Sequence, residues 1–198
     1  MGTKGERTKQ TIIEKSSGVF NQRSYLGTSM EDIVAATGYQ KGGVYRHFAG
    51  KEQLAVMAYR HAIEARMTEI AAHVADKPTG RAKLLAVAAF YADMRRLSDI
   101  DGGCPVFNVI DEAERLPNIF RDLAAESLAR MRAFLSEIVR DAVTAGEIRV
   151  GTDADAVANL LLALLSGGVS MSRTDGDTRV LAGVTAHFAA HLETLTTR

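Results

Sequence analysis

Residues 28–51, TSMEDIVAATGYQKGGVYRHFAGK, compress two short helices and a tight turn into a segment too small to fold alone. Thr28 stands three residues before Glu31, the T-x-x-E spacing of a capping box, and so predicts the start of a helix. Met30, Ile33 and Val34 then share one apolar face at helical period. Gly38 follows that face, where a helix closes on a left-handed residue. A second short helix is predicted from about Gln40, carrying Val44, Tyr45 and Phe48. A turn of about three residues between the two has the length of a helix-turn-helix.

The second helix begins with Lys41, Gly42 and Gly43. Glycine inside a helix costs roughly 1 kcal/mol relative to alanine. Two in succession have two readings: a frayed first turn, or a backbone that must come close to something outside the chain. Close approach to a DNA groove is the better account, because Lys41, Tyr45, Arg46 and His47 can all reach outward from the same short element. Lysine, arginine, tyrosine and backbone N–H groups meet phosphates and fix register, while groove contacts read bases.

Phe20, Tyr25, Gly27, Thr28, Ser29, Met30, Ile33, Ala36, Gly38, Gly43, Tyr45, His47, Phe48, Lys51 and Leu54 together resemble the N-terminal DNA-binding domain of the TetR/AcrR family of bacterial regulators. The resemblance implies that the recognition helix spans about residues 40–47. It places Thr28, Tyr45, His47 and Lys51 at positions that often contact phosphates. Gln40, Lys41, Gly42 and Gly43 fall where the backbone and base edges approach, and Gln40 stands where many members carry serine or a similar small residue. Tyr45 has a second reading, packing against Phe20 and Phe48.

Charge is balanced overall, with 24 Lys and Arg against 24 Asp and Glu. It is unevenly distributed. Residues 1–60 hold nine basic and five acidic side chains, and the remainder is acidic by the same margin of four. A basic head on an acidic body suits a nucleic-acid partner. The modest excess predicts that affinity comes from a dimer presenting two heads, and that counterion release makes binding strongly salt-dependent. No run approaches the roughly 18 apolar residues of a membrane span. The polar opening MGTKGERTKQ lacks the apolar centre of a signal peptide. One cysteine excludes an intramolecular disulfide framework. The expected location is the cytoplasm, with no membrane partner and no cofactor.

The remaining chain reads as helix throughout, giving an all-α fold of about nine helices. The first helix is expected over residues 5–24, and a long helix over 51–74 follows the motif. The turn cluster at 76–80 precedes a helix over 81–97, and a break at 98–103 precedes a short helix over 105–115. A long helix follows Pro117 and reaches about residue 145, and a connection over 147–152 leads to final helices over 153–172 and 177–196. This order is similar to the whole TetR-type architecture. It implies a DNA-binding domain at residues 1–50 and an effector-binding and dimerisation domain at 51–198.

The run from Ala156 to Leu165 leaves little polar surface on its helix, so that helix must be buried on more than one side. A partner subunit is a natural cover. The resemblance implies the same, since the last two helices form a four-helix bundle across a two-fold axis in such proteins. The expected homodimer interface comprises Leu161, Leu164, Leu165, Val184, Phe188, His191 and Leu192. Two-fold symmetry then predicts a palindromic double-stranded operator, with recognition helices about 34–36 Å apart or somewhat more.

Large adaptable side chains in the middle helices, Tyr91, Met94, Leu97, Phe107, Met131, Phe134 and Met171, can line an effector pocket or can be plain core. Asn108 and Asp111 share a helix face with Glu114, and either read a polar end of a small-molecule effector or face solvent. Pro105 suits the first position of a helix, which makes Cys104 its N-cap. The helix dipole there favours thiolate, so Cys104 is either a redox sensor or a packed cap. His187 and His191 lie four apart, but no third ligand is evident and no metal site is assigned. The chain contains no G-x-S-x-G, phosphate loop or H-E-x-x-H motif, so an enzyme is not expected. The leading reading is a ligand-responsive regulator, most often a repressor in this family. The alternative is a sensing module, for small molecules or thiol-reactive compounds, with a vestigial DNA head.

Overall fold

A computed structural model describes residues 3–93 and 102–197. Met94 and Leu97, two of the expected pocket residues, lie outside them. The described residues form nine α-helices: α1 (Lys4–Arg23), α2 (Met30–Thr37), α3 (Lys41–Tyr45), α4 (Lys51–Val74), α5 (Gly80–Ala92), α6 (Pro105–Glu112), α7 (Asn118–Thr144), α8 (Ala154–Asp175) and α9 (Arg179–Leu195). The only strand-like pairing among these residues is an isolated antiparallel bridge between Ile148 and Thr196.

The helix order agrees with expectation, and the ends are shifted where local chemistry decides. α5 stops at Ala92, short of the expected residue 97, because Asp93 leaves the helical region at φ −80°, ψ 90°. α6 ends three residues early, at Glu112. α8 runs three residues longer than expected, to a left-handed Gly176.

The chain divides into two compact units. The first combines residues 1–66 with 97–125, and the second combines 67–96 with 126–198. In the first, Ile12, Ile13, Ile33, Val44, Phe48 and Leu54 form a core under α1 to α4, with Val19, Phe20, Met30 and Tyr39 packed against it. Lys15 of α1 donates from Nζ to the carbonyl of Thr37 at the end of α2. Also in this unit, Asn108 of α6 donates from Nδ2 to the backbone carbonyl and Oδ1 of Asn21, at 3.1 and 2.9 Å, and to the Gly102 carbonyl at 2.7 Å. Asn21 returns a bond from its own Nδ2 to the Gly103 carbonyl.

The capping box of α2 is displaced by one residue from the expected Thr28-x-x-Glu31. Ser29 caps the helix, its Oγ accepting from the Asp32 N–H at 3.1 Å while the Asp32 carboxylate accepts from the Ser29 N–H at 2.8 Å. Thr28 is buried and its hydroxyl donates to the Ser24 carbonyl at 2.6 Å, so it is unavailable as a cap. The hydrogen bonds from Ser29 hold the Asp32 carboxyl below its ordinary value. A carboxyl depressed on folding stabilises above the unfolded value and loses that contribution as pH falls through the folded one. Ser29→Ala is expected to cost about 1 kcal/mol. In thermal unfolding at neutral pH, Asp32→Asn is expected to melt below the parent, and the gap is expected to close as the pH falls below about 4.

In the second unit α9 packs on α8 and α5, and α5 on α8. Gly80 at the start of α5 lies so near α7 that a Cβ there would meet the Ala142 Cβ at 2.6 Å. α8 is long and apolar enough to cross a membrane by length and composition, contrary to the expectation that no segment is. Here it packs in the core of this unit, with Leu161 and Leu165 fully buried.

Candidate nucleic-acid interface and effector cavity

α2 ends on Gly38 in the left-handed conformation, φ 74°, with its N–H bonded to the Val34 carbonyl at 3.0 Å. Three residues then lead to α3, which Val44 anchors by complete burial and Phe48 supports from just beyond its end. The rest of α3 faces outward. Gln40 occupies the N-cap without a side-chain cap bond, leaving its amide to solvent. Tyr45 is 44% exposed, so it projects outward more than it packs. His47 is half-buried, with its ring edge-on to Phe48.

An added Cβ at Gly42 would meet nothing within 4 Å, and at Gly43 it would meet only the Tyr39 Cβ at 3.9 Å. Neither glycine is required by the packing of this chain.

Lys41 reaches back across the turn to Glu31, Nζ to Oε1 at 3.1 Å, with both side chains largely exposed. That hydrogen bond lowers the Glu31 carboxyl below its ordinary value and raises the Lys41 ammonium above its own. Sequence reasoning missed Glu31 as a partner of the recognition helix, because the pair joins residues ten apart across a turn. Lys51 donates to the carbonyls of Tyr25 at 2.9 Å and Thr28 at 3.0 Å, and its ammonium sits 4.2 Å from the centre of the Tyr25 ring. It thereby ties the start of α4 to the residues just before α2. Burial, and secondarily the charge of Glu52, push the Tyr25 hydroxyl up. Thr28 is buried, so any outward contact from this position belongs to its backbone.

Of the expected effector residues, Tyr91, Met131 and Phe134 come together in the second unit. They line an apolar cavity of about 260 Å³ with Met67, Ile70, Val87, Leu135, Leu162 and Leu165. The last six were legible only as periodic apolar positions. Phe107 and Asn108 belong to the first unit, where Phe107 is core and Asn108 clamps α6 to α1. Asp111 is exposed, and Met171 is 55% exposed, which removes both from the cavity. Cys104 is the N-cap of α6 with Pro105 in its first turn, as expected, and is only 1% exposed. An oxidant would have to open the start of α6 to reach it.

The expected dimer residues divide in two. Leu161, Leu165, Phe188 and Leu192 are fully buried within one chain and have no surface left for a partner. Burying one such side chain contributes about 1.5–3 kcal/mol, so the fold of the single chain claims them first. Leu164, Val184 and His191 keep part of their surface. Val184 is partly covered by Gly168, whose absent side chain lets α9 nest against α8; a Cβ there would meet Val184 Cγ2 at 3.2 Å. The neighbouring His187 has Nδ1 2.8 Å from the Gly183 carbonyl, which can only accept, so Nδ1 carries the proton. Among the described residues, no group of three or more His, Cys, Asp or Glu could hold a metal.

Two family descriptions match this chain. Residues 12–57 match the tetR family of bacterial regulatory proteins, and residues 80–188 match the tetracyclin repressor-like C-terminal domain. A TetR-family transcriptional regulator from Cytophaga hutchinsonii superposes with a TM-score of 0.94 at 27% identity, covering 100% of this chain and 99% of that one. A TetR regulator from Chloroflexus aurantiacus J-10-FL superposes with a TM-score of 0.90 at 30% identity, covering 98% of each. The HTH-type transcriptional repressor DhaR of Mycobacterium sp. (strain GP1) is 24% identical over 162 residues, 81% of this chain and 80% of its own. With helix-turn-helix, nine-helix fold and both halves matched, the chain belongs to the TetR family of bacterial regulatory proteins and is a DNA-binding transcriptional regulator, not an enzyme.

Proposed function

We propose that this protein represses transcription in the cytoplasm by binding a palindromic operator as a homodimer, and leaves the operator when a small apolar effector occupies the second unit. The observation that carries the DNA-reading surface is Gly42. Its position is helical, open and free of internal contacts, so alanine would fit there and favour the helix by about 1 kcal/mol. A glycine kept against that gain fits a backbone that closes on a groove. Gln40 and Lys41 precede it at the exposed end of α3, and Tyr45 and His47 follow. In this reading Gln40 and Lys41 face base edges, Gly42 and Gly43 allow close approach, and Tyr45, His47, Lys51 and the Thr28 backbone meet phosphates. Repression is the sign carried by the name of DhaR.

The division of labour follows the chain. Residues 1–50 read DNA, and residues 51–198 receive the effector and dimerise. The cavity under Tyr91, Met131 and Phe134 offers an apolar ligand a dry wall on every side. The dimer surface is the outer face of α8 and α9. Leu164, Val184 and His191 contribute there beside exposed small residues such as Ala163, Gly167, Ala186 and Ala190. An effector shifts the equilibrium only by its difference in affinity for the DNA-binding and released states. The long α4, which begins at Lys51, is the element through which that difference reaches the heads.

Selection from randomised duplex DNA at moderate salt, with sequencing of the bound pool, tests the reading. A palindromic consensus is the expected result. A pool without consensus, from protein that is folded and dimeric, would overturn it in favour of a sensing module with a vestigial head.

A further inference from the structure

We infer that the first unit holds a second small-molecule site, separate from the effector cavity, shaped for a compact hydrophobic organic cation. The site is a partly open cleft of about 450 Å³, within the range of small-molecule sites. Four aromatic side chains line it: Phe20 from α1, Tyr25 just beyond it, Tyr59 from α4 and Phe120 from α7. The Tyr25 and Phe120 rings lie 4.9 Å apart at 43°, and Phe20 stacks on Tyr25 at 6.4 Å, so the rings form a continuous wall.

Charge selects the ligand class. Among the described lining residues, Glu112 carries the only formal charge. A carboxylate beside four ring faces attracts a cation and opposes an anion. The wall already shows this preference on the Tyr25 ring, which holds the Lys51 ammonium at 4.2 Å. An apolar body matches the rest of the lining, and a quaternary or protonated amine matches Glu112.

The cleft also has a route to the DNA-reading surface. Phe20 both lines the cleft and packs against the core of the helix-turn-helix. Tyr25 lines the cleft and gives its carbonyl and its ring to Lys51, which also holds the Thr28 carbonyl one residue before the α2 cap. A ligand that presses on Tyr25 therefore bears on the contact fixing the start of α2. Binding itself stands independently of the DNA-reading proposal; only this relay rests on it.

The test titrates the full-length protein with benzyltrimethylammonium and, in parallel, with benzyl tert-butyl ether, a neutral molecule of nearly the same shape. Aromatic proton resonances report the site. The cation is expected to bind about tenfold tighter than the ether, with shifts confined to Phe20, Tyr25, Tyr59 and Phe120. Glu112→Gln is expected to remove that preference while leaving the ether unchanged. Val109→Trp, at the half-buried cleft wall, is expected to abolish both. Equal affinity for the two probes, an unaltered preference in Glu112→Gln, or binding lost in Phe134→Ala of the second unit instead would each overturn the assignment. With binding established, a changed affinity for the selected operator under saturating cation supports the relay. An unchanged affinity overturns the relay alone.

Discussion

Gly102→Ala is expected to lower stability by roughly 3–5 kcal/mol and the midpoint of thermal unfolding by roughly 10–15 °C. Two effects add. The backbone at Gly102 has φ 97°, where a side chain is strained in any surroundings. A Cβ would also lie 2.2 Å from the Asn21 carbonyl oxygen, 2.4 Å from its carbon and 2.7 Å from the Gln22 nitrogen. These are backbone atoms of the last turn of α1, which no rotamer change can move aside. Gly146→Ala separates the two effects. Its φ is 74°, but nothing lies within 4 Å, so only conformational strain remains. A loss of about 1 kcal/mol is expected there, or roughly 2–4 °C. Circular dichroism melts of the two variants check both numbers. Similar losses in the pair would remove the steric argument.

Tyr45→Ala is expected to weaken operator binding by roughly a hundredfold while leaving unfolding almost unchanged. The side chain is largely outside the core, so its removal leaves no cavity. A dimer loses the contact twice, at about 1–1.5 kcal/mol per head. Lys41→Ala is expected to weaken binding to all duplex sequences and to reduce the slope of log K against log salt by about 0.9 for each head that loses a phosphate contact. Glu31→Ala has the opposite expected sign. It removes the carboxylate now paired with Lys41, leaving the ammonium free for DNA at no cost in broken ion pairs. Fluorescence anisotropy at several salt concentrations separates these outcomes. Tighter binding by Lys41→Ala would show that the lysine is held by Glu31 for stability alone.

The elements whose cause is local were legible from sequence. Gly38 closes α2, Pro105 opens α6 and α4 spans the expected residues, because each depends on neighbours in the chain. The α2 cap was misplaced by one residue, since the burial of Thr28 and its bond to Ser24 are tertiary facts. α8 illustrates a deeper ambiguity. An apolar helix must be covered, but its period does not say whether its own chain or a partner covers it. Leu161 and Leu165 proved to be covered from within. The aromatic cleft was invisible for a similar reason. Phe20, Tyr59, Glu112 and Phe120 are scattered along the sequence and share no period.

The first compact unit is assembled from two stretches of chain separated by residues 67–96. During synthesis the helix-turn-helix is complete by about residue 57, but the partners that Asn21 and Tyr25 find in α6 and at Phe120 do not yet exist. At translation rates of about 5–20 residues per second, roughly 3–13 s pass before residue 125 is made, and longer before it clears the ribosome. For that interval the nascent head carries an uncovered aromatic flank. A gene fusion that transplants only the first sixty residues onto another body would make this nursery state permanent.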